Sequence, residues 1–334
     1  MKRTTKKQKG GFIRPFVLQF ILLPFFLSLV SLAQAGNLLE LPGKLYPALC
    51  ICFPDNREGW IGGHFGRIWH TSDGGKRWVL QDSHTRENIA DIYFVDTKNG
   101  WAVGYAGLII HTSDGGKRWV RQNSPLGYFW KAVYFKDKKQ GWIAGEMGTV
   151  LGTEDGGKTW KILITGDDLI FNSITFSPEG DGWVAGEFGV IYASHDARRW
   201  FLQDNGVASQ NNTVWSISYI GDEKVLASGV ASLLLFKSNY KSKWQAIDAL
   251  NKHNGEKSLF RILRFQDKII SIGQKSIYFS KSPFGPWKEA EIKGKLPYGE
   301  WLYDVWNNGK RVWILGVRGS IYYSDNGVEW NHVR

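Results

Sequence analysis

Aspartate recurs in this sequence within a motif that could bind a metal ion. Asp73, Asp114 and Asp155 each follow a threonine by two positions, precede a glycine pair and lie 41 residues apart. A Ca²⁺ ion needs about six to eight oxygen ligands, and carboxylates separated by a whole repeat cannot surround one ion. Each carboxylate can instead accept hydrogen bonds from its own turn, in which glycine adopts positive φ. We therefore predict a structural turn, with no metal ion or other cofactor.

Two glutamates form a second candidate site. Glu146 and Glu187 occupy equivalent places in adjacent repeats and could act as the carboxylate pair of a glycoside hydrolase. The Phe-Arg-Ile-Pro signature of sialidases has only a reordered counterpart, Phe12-Ile13-Arg14-Pro15, near the N-terminus. We therefore predict no catalytic residues and no enzymatic activity. The alternative hypothesis is a sialidase-like glycoside hydrolase or a glycan-binding protein.

Regularly spaced tryptophans define the repeat that must position these residues. Counted from one tryptophan to the next, the intervals are 41, 41, 40, 44, 43 and 43 residues for Trp78, Trp119, Trp160, Trp200, Trp244, Trp287 and Trp330. Each of the seven units contains short apolar runs separated by glycine and aspartate turns, a pattern typical of a four-stranded antiparallel meander. Units of this length form propeller blades. We predict an all-β, seven-bladed β-propeller of four-stranded antiparallel blades, in a single domain over residues 36–334.

The turn motif before each tryptophan is best preserved in the first three units. We assign its structural residues as Asp73, Trp78, Asp114, Trp119, Asp155, Trp160, Asp196, Trp200, Asp325 and Trp330. The fourth copy is one residue shorter, and the fifth and sixth keep little beyond the tryptophan. The N-terminal residues Asn37 to Pro42 could close the ring by adding an outer strand to the last blade.

The N-terminal segment has the pattern of an export signal. Six basic residues precede an apolar run from Phe16 to Leu32, which ends at Ala33-Gln34-Ala35. We predict cleavage after Ala35, and the alternative is an uncleaved signal anchor. Export would place the chain in the periplasm or an equivalent of the thylakoid lumen, with or without membrane association. No membrane span would remain after cleavage.

The charge that remains after cleavage is modest. The six basic residues of residues 1–35 reduce the net charge from +11 to +5, because 36 basic and 31 acidic residues remain. So small an excess argues against a nucleic-acid partner. Cys50 and Cys52 are the only cysteines. Their spacing of two residues on a strand disfavours a disulfide, so we predict buried thiols. A two-cysteine metal site is the sharper alternative, but it would lack further cysteine ligands.

Strand alternation places a set of aromatic and charged residues on the face opposite the Asp turns. We predict that this face binds a protein partner. The residues that we expect to bind it are Trp130, Lys131, Glu146, Glu187, Trp215, Arg261, Arg264, Trp301, Tyr303 and Arg318. Trp, Tyr and Arg dominate binding energy in protein interfaces. The four cationic residues among them would form a basic patch. We expect about half of the aromatic residues to belong to the core, and the alternative is that most of them pack one blade against the next.

The complete repeat carries a family resemblance. Thr71 to Trp78 resembles the Asp-box of bacterial neuraminidase repeats, and the repeat from Phe94 to Trp119 resembles those of the photosystem II assembly and stability factor family. The resemblance implies a seven-bladed, non-enzymatic, exported assembly factor that uses a positive surface. It implies a partner that is a newly made membrane-complex subunit, the reaction-centre protein in photosynthetic organisms. We expect a monomer.

Overall fold

The computed structural model describes residues 48–207, 212–248, 257–293 and 301–333, which form strands and three short 3-10 turns. The predicted signal in residues 1–35 and the suggested closing strand at Asn37 to Pro42 lie outside the described residues. No helix in the described part of the chain is both long enough and apolar enough to cross a membrane.

The first four blades are built from sixteen consecutive strands. Blades 1 and 2 contain β1 (Ala48–Cys52), β2 (Gly59–Gly63), β3 (Ile68–Thr71), β4 (Val79–Gln81), β5 (Ile89–Phe94), β6 (Gly100–Gly104), β7 (Ile109–Thr112) and β8 (Val120–Arg121). Blades 3 and 4 contain β9 (Trp130–Phe135), β10 (Gly141–Gly145), β11 (Thr149–Thr153), β12 (Lys161–Ile164), β13 (Phe171–Phe176), β14 (Gly182–Gly186), β15 (Ile191–Ser194) and β16 (Phe201–Leu202).

The last three blades follow the same plan with one addition. Blades 5 and 6 contain β17 (Val214–Gly221), β18 (Lys224–Gly229), β19 (Leu234–Lys237), β20 (Gln245–Ala246), β21 (Leu259–Phe265), β22 (Lys268–Gly273), β23 (Ser276–Ser280) and β24 (Lys288–Glu289). Blade 7 contains β25 (Glu291–Ile292), β26 (Leu302–Asn307), β27 (Val312–Gly316), β28 (Ile321–Ser324) and β29 (Glu329–His332). The 3-10 turns are His64–Gly66, Val230–Ser232 and Val317–Gly319.

Each sheet keeps the order of the chain, with antiparallel neighbours from the first strand to the fourth. The first strands of neighbouring blades contact one another and therefore surround the central channel. Blade 7 alone among the described sheets has five strands, because β25 adds in parallel to the outer edge of β29. The prediction of a seven-bladed propeller of four-stranded blades is confirmed.

The Phe and Gly-Trp elements of the repeat join consecutive blades. Trp60 of blade 1 stacks on Phe94 of blade 2 with ring centroids 3.7 Å apart, and Trp101 stacks on Phe135 of blade 3 at 3.5 Å. A side chain at Gly100 would place its Cβ 2.4 Å from the Phe94 ring. Glycine therefore precedes the tryptophan because the phenylalanine of the same blade occupies that space. All these aromatic rings are buried, which stabilises the fold through apolar burial.

The Asp motif forms a turn between the third and fourth strands. In blade 2, Asp114 accepts hydrogen bonds from the Thr112 hydroxyl at 2.8 Å and from the Arg118 N–H at 3.0 Å. The Thr112 hydroxyl in turn accepts the Gly116 N–H at 2.8 Å. The Arg118 N–H bond holds the pKa of Asp114 below its usual value. Equivalent bonds organise the turns at Asp73 and Asp155, so the carboxylates are used within their own turns.

Blades 4 and 7 keep shorter versions of this turn. Asp196 accepts the N–H groups of Arg198 and Arg199 in blade 4. In blade 7 the assignment of Asp325 was wrong, because the turn is organised by Asn326, whose Oδ1 accepts the Glu329 N–H at 3.0 Å. This turn has lost one glycine, which shifts the acceptor by one position relative to the tryptophan.

In each of the first two blades, one glutamine binds the Asp turn of the next blade. Gln81 donates from Nε2 to the Gly115 carbonyl at 2.9 Å and accepts the Trp119 indole N–H at 3.3 Å. Gln122 makes the same pair of bonds to Gly156 and Trp160, at 2.8 and 3.3 Å. We call this arrangement the glutamine clamp. It satisfies a half-buried carbonyl and a buried indole with one carboxamide.

The ring closes by packing blade 7 directly against blade 1. Phe53 stacks on Trp313 at 4.2 Å, and the Trp306 indole donates to the Phe53 carbonyl at 2.9 Å. On the channel side, the Ile51 N–H donates to Asp304 at 2.9 Å. Contacts among the described residues thus join the first and last repeats without a strand shared between those two blades.

Candidate functional site

Charged side chains line the channel at the beginnings of the inner strands. The pairing register of β5, β21 and β26 shifts just before Asp91, Arg261 and Asp304. Such bulges re-aim a side chain relative to regular strand alternation. Asp91 reaches the next blade, where its Oδ2 accepts the Val133 N–H at 2.8 Å. The bulges therefore direct polar groups across blade boundaries.

Asp91, Lys131, Arg261 and Asp304 form one interacting group, which we call the channel cluster. Arg261 Nε donates to Asp304 Oδ1 at 2.9 Å, with the two side chains 20% and 9% exposed. Burial, and then the charge of Asp304, raises the pKa of Asp91 to about 7. Burial, and then the charge of Arg261, lowers the pKa of Lys131 to about 8. The cluster pairs two acids with two bases and is not a simple basic patch.

Both cysteines lie in β1 close to this cluster. They are free and buried, as predicted. Burial raises the pKa of the Cys50 thiol well above its usual value, with further contributions from Asp91 and Asp304. Cys52 Sγ accepts the Phe94 N–H at 3.3 Å across the boundary between blades 1 and 2. Protonated, buried thiols of this kind pack as small apolar groups.

Aromatic side chains from blades 5 to 7 lie beside the channel cluster. Phe260 stacks against Trp301 at 5.5 Å and lies edge-on to Trp215 at 6.3 Å, with Tyr303 at 6.4 Å. The Trp215 carbonyl accepts a hydrogen bond from Arg261 at 3.4 Å. Trp215, Trp301 and Tyr303 are partly exposed. We call the face that carries these aromatic residues and the loops between second and third strands the channel mouth, and the opposite face the Asp-box face.

The loops of the channel mouth bond to the segments that enter each blade. The Glu146 carboxylate accepts the Phe129 N–H, and the Glu187 carboxylate accepts the Ile170 N–H, both at 2.9 Å. Burial raises the pKa of Glu187. The two glutamates thus recur because each anchors the start of its own inner strand. This geometry gives both carboxylates the same structural use.

Other predicted residues of this face lie elsewhere. Trp130 is completely buried in the core and donates from its indole to the Ser124 hydroxyl at 3.1 Å, so it presents no surface to a partner. Arg264 does not lie at the channel mouth. It is near the far end of β21, where it donates to the Ile220 carbonyl at 2.8 Å and lies 3.7 Å from Asp222. The two ends of a strand open on opposite faces of the propeller, so Arg264 belongs to the Asp-box face.

Arg318 lies in the 3-10 turn Val317–Gly319 between the second and third strands of blade 7. Its side chain is outside the described part of the structure. The structure therefore brings Lys131, Arg261, Trp215, Trp301 and Tyr303 towards one region, without Arg264.

Sequence reasoning missed Asp91, the pairing of Asp304 with Arg261, and the glutamine clamp. Asp91 and Asp304 are carboxylates within otherwise apolar inner strands, which is a signal that could have been recognised. Gln81 and Gln122 both follow the motif tryptophan by three positions and lie 41 residues apart. Applying the repeat period to polar residues as well as to aspartate and tryptophan would have found them.

Comparisons with known proteins identify the repeats. The sequence model of the family described as "Photosynthesis system II assembly factor YCF48" matches residues 37–124, 77–169 and 125–201. No curated protein sequence matches the chain.

Solved structures share the fold at low sequence identity. The chain is 16% identical to "YCF48 bound to D1 peptide", with a TM-score of 0.66 over 83% of this chain and 90% of that one. It is 18% identical to YCF48 from Cyanidioschyzon merolae, with a TM-score of 0.66 and coverage of 84% and 95%. The GH74 xyloglucanase from Xanthomonas campestris is 10% identical, with a TM-score of 0.67 and coverage of 86% and 54%. These likenesses show the propeller fold, and the repeats of blades 1 to 4, over residues 37–201, are similar to those of the photosystem II assembly factor YCF48 family.

Proposed function

We propose that this chain is a non-catalytic assembly or stability factor that binds a protein subunit of a membrane complex at its channel mouth. The match of three overlapping segments to the YCF48 assembly factor family carries this proposal. One structure of that kind is described as bound to a D1 peptide. A segment of a membrane-complex subunit is therefore the class of partner we assign to this chain.

The channel mouth has the composition of a protein-binding surface. Partly exposed Trp215, Trp301 and Tyr303 border the Arg261–Asp304 pair. Aromatic and arginine side chains supply most of the energy at protein interfaces. The balanced channel cluster would orient polar groups of a partner segment rather than attract any anion indiscriminately.

A glycoside hydrolase is the competing function, since a GH74 xyloglucanase shares the fold. At 10% identity that likeness concerns architecture alone. The recurring Glu146 and Glu187 both bind the backbone at inner strand starts, which favours a structural use. We therefore propose that the chain is not an enzyme.

The binding proposal is tested by affinity capture from envelope membranes of the source cells, followed by mass spectrometry. We expect the wild type to retain a membrane-complex subunit and the Trp215→Ala/Trp301→Ala variant to lose it. The matched control is Lys117→Ala/Arg118→Ala, which removes two exposed charges on the Asp-box face and should leave capture unchanged. Equal capture by the wild type and the aromatic double variant would reject the channel mouth as the binding site.

We also propose that the chain is exported, on the basis of the signal-like pattern in residues 1–35. Fractionation with N-terminal sequencing of the mature chain tests this point independently. A mature N-terminus at Gly36 in an extracytoplasmic fraction is expected, and a full-length cytoplasmic protein would contradict it.

A further inference from the structure

A cavity of about 770 Å³ lies between blades 3 and 4 on the Asp-box face. Its apolar lining includes Trp142, Leu163 and Phe176, and its polar lining contains both basic and acidic side chains. Cavities of about 300–1,000 Å³ are the size that commonly holds ligands. We call this cavity the blade 3–4 groove. It lies on the face opposite the channel mouth.

The groove coincides with the first place where the glutamine clamp is broken. Gln81 and Gln122 follow their motif tryptophans by three positions, and the residue at that register in blade 3 is Leu163. Leucine cannot donate to the turn of blade 4 or accept the Trp200 indole N–H. That indole, in a side chain 8% exposed, has no hydrogen-bond partner among the described residues. The boundary between blades 3 and 4 therefore lacks the carboxamide that fastens the two preceding boundaries.

The outer strand beside the groove has an open edge. β12 is the last strand of its sheet and has four residues, compared with two in β8 and two in β16. Ile162 in β12 is 44% exposed. An open edge presents backbone N–H and C=O groups that can pair with another strand. A longer edge offers an incoming peptide more of these groups.

Blade 7 shows how such an edge can be occupied. β25 adds in parallel to β29, with Glu291 opposite Glu329 and Ile292 opposite Trp330. The Lys293 N–H continues the pairing by donating to the Trp330 carbonyl at 3.0 Å. Ile292 packs against the apolar cluster that contains Trp330. A short segment with one apolar side chain is therefore sufficient to extend a blade of this propeller.

We propose that an extended peptide segment of a protein partner adds to the free edge of β12 and places an apolar side chain in the blade 3–4 groove. Strand addition supplies main-chain hydrogen bonds, and the pocket supplies selectivity for a side chain. The proposal rests on the proposed function only in requiring a protein partner, since it uses the opposite face.

The charges around the groove favour a peptide over a charged ligand. Glu154 and Arg198 form an ion pair across the blade boundary at 2.6 Å. Asp155 and Asp196 are held by backbone N–H groups of their own turns. Lys161, Glu179 and Lys136, whose Nζ donates to the Pro178 carbonyl at 3.2 Å, also line the groove. The three cationic side chains and four carboxylates of the lining nearly balance, so the groove has little excess charge to attract an anion or a cation, whereas the apolar lining suits an aliphatic or aromatic side chain.

The test is selection of a displayed library of random dodecapeptides on the intact purified protein. Selected peptides are then measured on wild type and on Leu163→Gln, which copies the glutamine clamp into blade 3. We expect Leu163→Gln to remain folded, because the same residue serves two other boundaries, and to weaken peptide binding by about tenfold or more. The matched exchange, Gln122→Leu, opens the boundary between blades 2 and 3 and should not weaken binding at β12.

Hydrogen exchange with a selected peptide locates the site. Protection of the amides of Lys161–Ile164 is expected on binding. Failure to select any peptide, equal binding to Leu163→Gln, or protection confined to another strand would overturn the proposal. The Trp215→Ala/Trp301→Ala variant separates the two proposals. It should lose capture of the subunit at the channel mouth but still bind the selected peptides at the groove, so failure of one proposal can be told from failure of the other.

Discussion

Blades 1 to 4 and blades 5 to 7 share one architecture but hold it together with different chemistry. In the first group the Asp turns recur closely, and the Gly-Trp tryptophans of blades 1 to 3 pack on the phenylalanine of the next blade. In the second group the Asp turns have largely been lost, yet these blades supply Arg261, Asp304 and the aromatic side chains at the channel mouth. Repetition therefore marks residues whose contacts are structural, whereas divergence marks the region with its own surface chemistry.

The difference has a physical cause in how each contact depends on its neighbours. A glutamine clamp needs an appropriate carbonyl and indole on the following blade, so each copy of the motif constrains the next. Once blade 3 has Leu163 in place of glutamine, that constraint ends. Blade 5 satisfies its turn differently, with Ser242 and Asn239 bonding to nearby backbone. Apolar packing between blades then preserves the fold without the motif.

The largest effect should come from breaking the buried ion pair between Arg261 of blade 6 and Asp304 of blade 7. Asp304→Ala removes the acceptor of the Ile51 N–H and leaves Arg261 without its carboxylate. Loss of one partner of a buried pair costs about 3–5 kcal/mol, and the free energy of unfolding in urea should fall by that amount. The control is Asp325→Ala in the same blade, whose pair with Arg311 is more exposed and should contribute about 0–1 kcal/mol. Similar losses in both variants would contradict a structural role for the channel cluster.

Removing a clamp should have an intermediate effect. Gln122→Leu leaves the Gly156 carbonyl without one bond and the Trp160 indole without its acceptor, so the free energy of unfolding should fall by about 1–3 kcal/mol. Gln203→Leu is the matched control, since Gln203 has the same register in blade 4 but, within the described part of the chain, its side chain bonds only to the Phe201 carbonyl. Equal destabilisation by the two changes would show that the clamp contributes nothing specific.

The Asp turn should contribute somewhat less. Asp114→Ala removes the acceptor of the Thr112 hydroxyl and the Arg118 N–H in an exposed turn, for which a loss of about 1–2 kcal/mol is expected. Thermal unfolding measures it, with Asp325→Ala again as the control in a turn organised by Asn326. Capture of the membrane subunit by folded Asp114→Ala protein should be unchanged, because this turn lies on the Asp-box face.

The channel cluster should also make stability depend on pH, through the titration of Asp91. Its pKa rises from the ordinary value of 3.8 to about 7 on folding, through burial and the charge of Asp304. Between these values the folded state retains a proton that the unfolded chain has released, so stability should fall by about 1.4 kcal/mol per pH unit, or about 4 kcal/mol in all, as the pH rises through this window. Asp91→Asn should flatten the slope between about pH 4 and 7. An unchanged slope would place the titrating group elsewhere.

The control for this pH profile is Asp96. Hydrogen bonds from Asn99 and Lys98 outweigh burial and lower the pKa of the Asp96 carboxyl. A carboxyl with a depressed folded pKa stabilises the protein above its unfolded pKa and loses that contribution as the pH falls. Asp96→Asn should therefore alter the profile only below about pH 4.

The spacing of tryptophans was sufficient to predict the blades and their order, because that spacing records a structural unit that must stack on its neighbours. The channel cluster could not be predicted in the same way. Asp91, Lys131, Arg261 and Asp304 come from four blades and meet only when the ring closes, with bulges that alter strand alternation. Alternation alone also placed Arg264 on the wrong face and treated the buried Trp130 as surface.

Asp325 shows a related limit. Counting the motif back from Trp330 could not reveal that the turn had lost a residue and transferred its hydrogen bonds to Asn326. Ring closure by Phe53, Trp306 and Trp313 was equally hidden, since these residues belong to opposite ends of the chain.

We propose that the channel mouth, and not the repeated Asp turns, binds the membrane-complex subunit. Site-specific photocrosslinking in cells tests it most directly, with a photoreactive residue in place of Trp301 at the channel mouth or Lys117 on the Asp-box face. We predict a crosslink to a membrane-complex subunit from position 301 and none to that subunit from position 117. A crosslink to the subunit from position 117 alone, or equally from both positions, would contradict the assignment of the binding face.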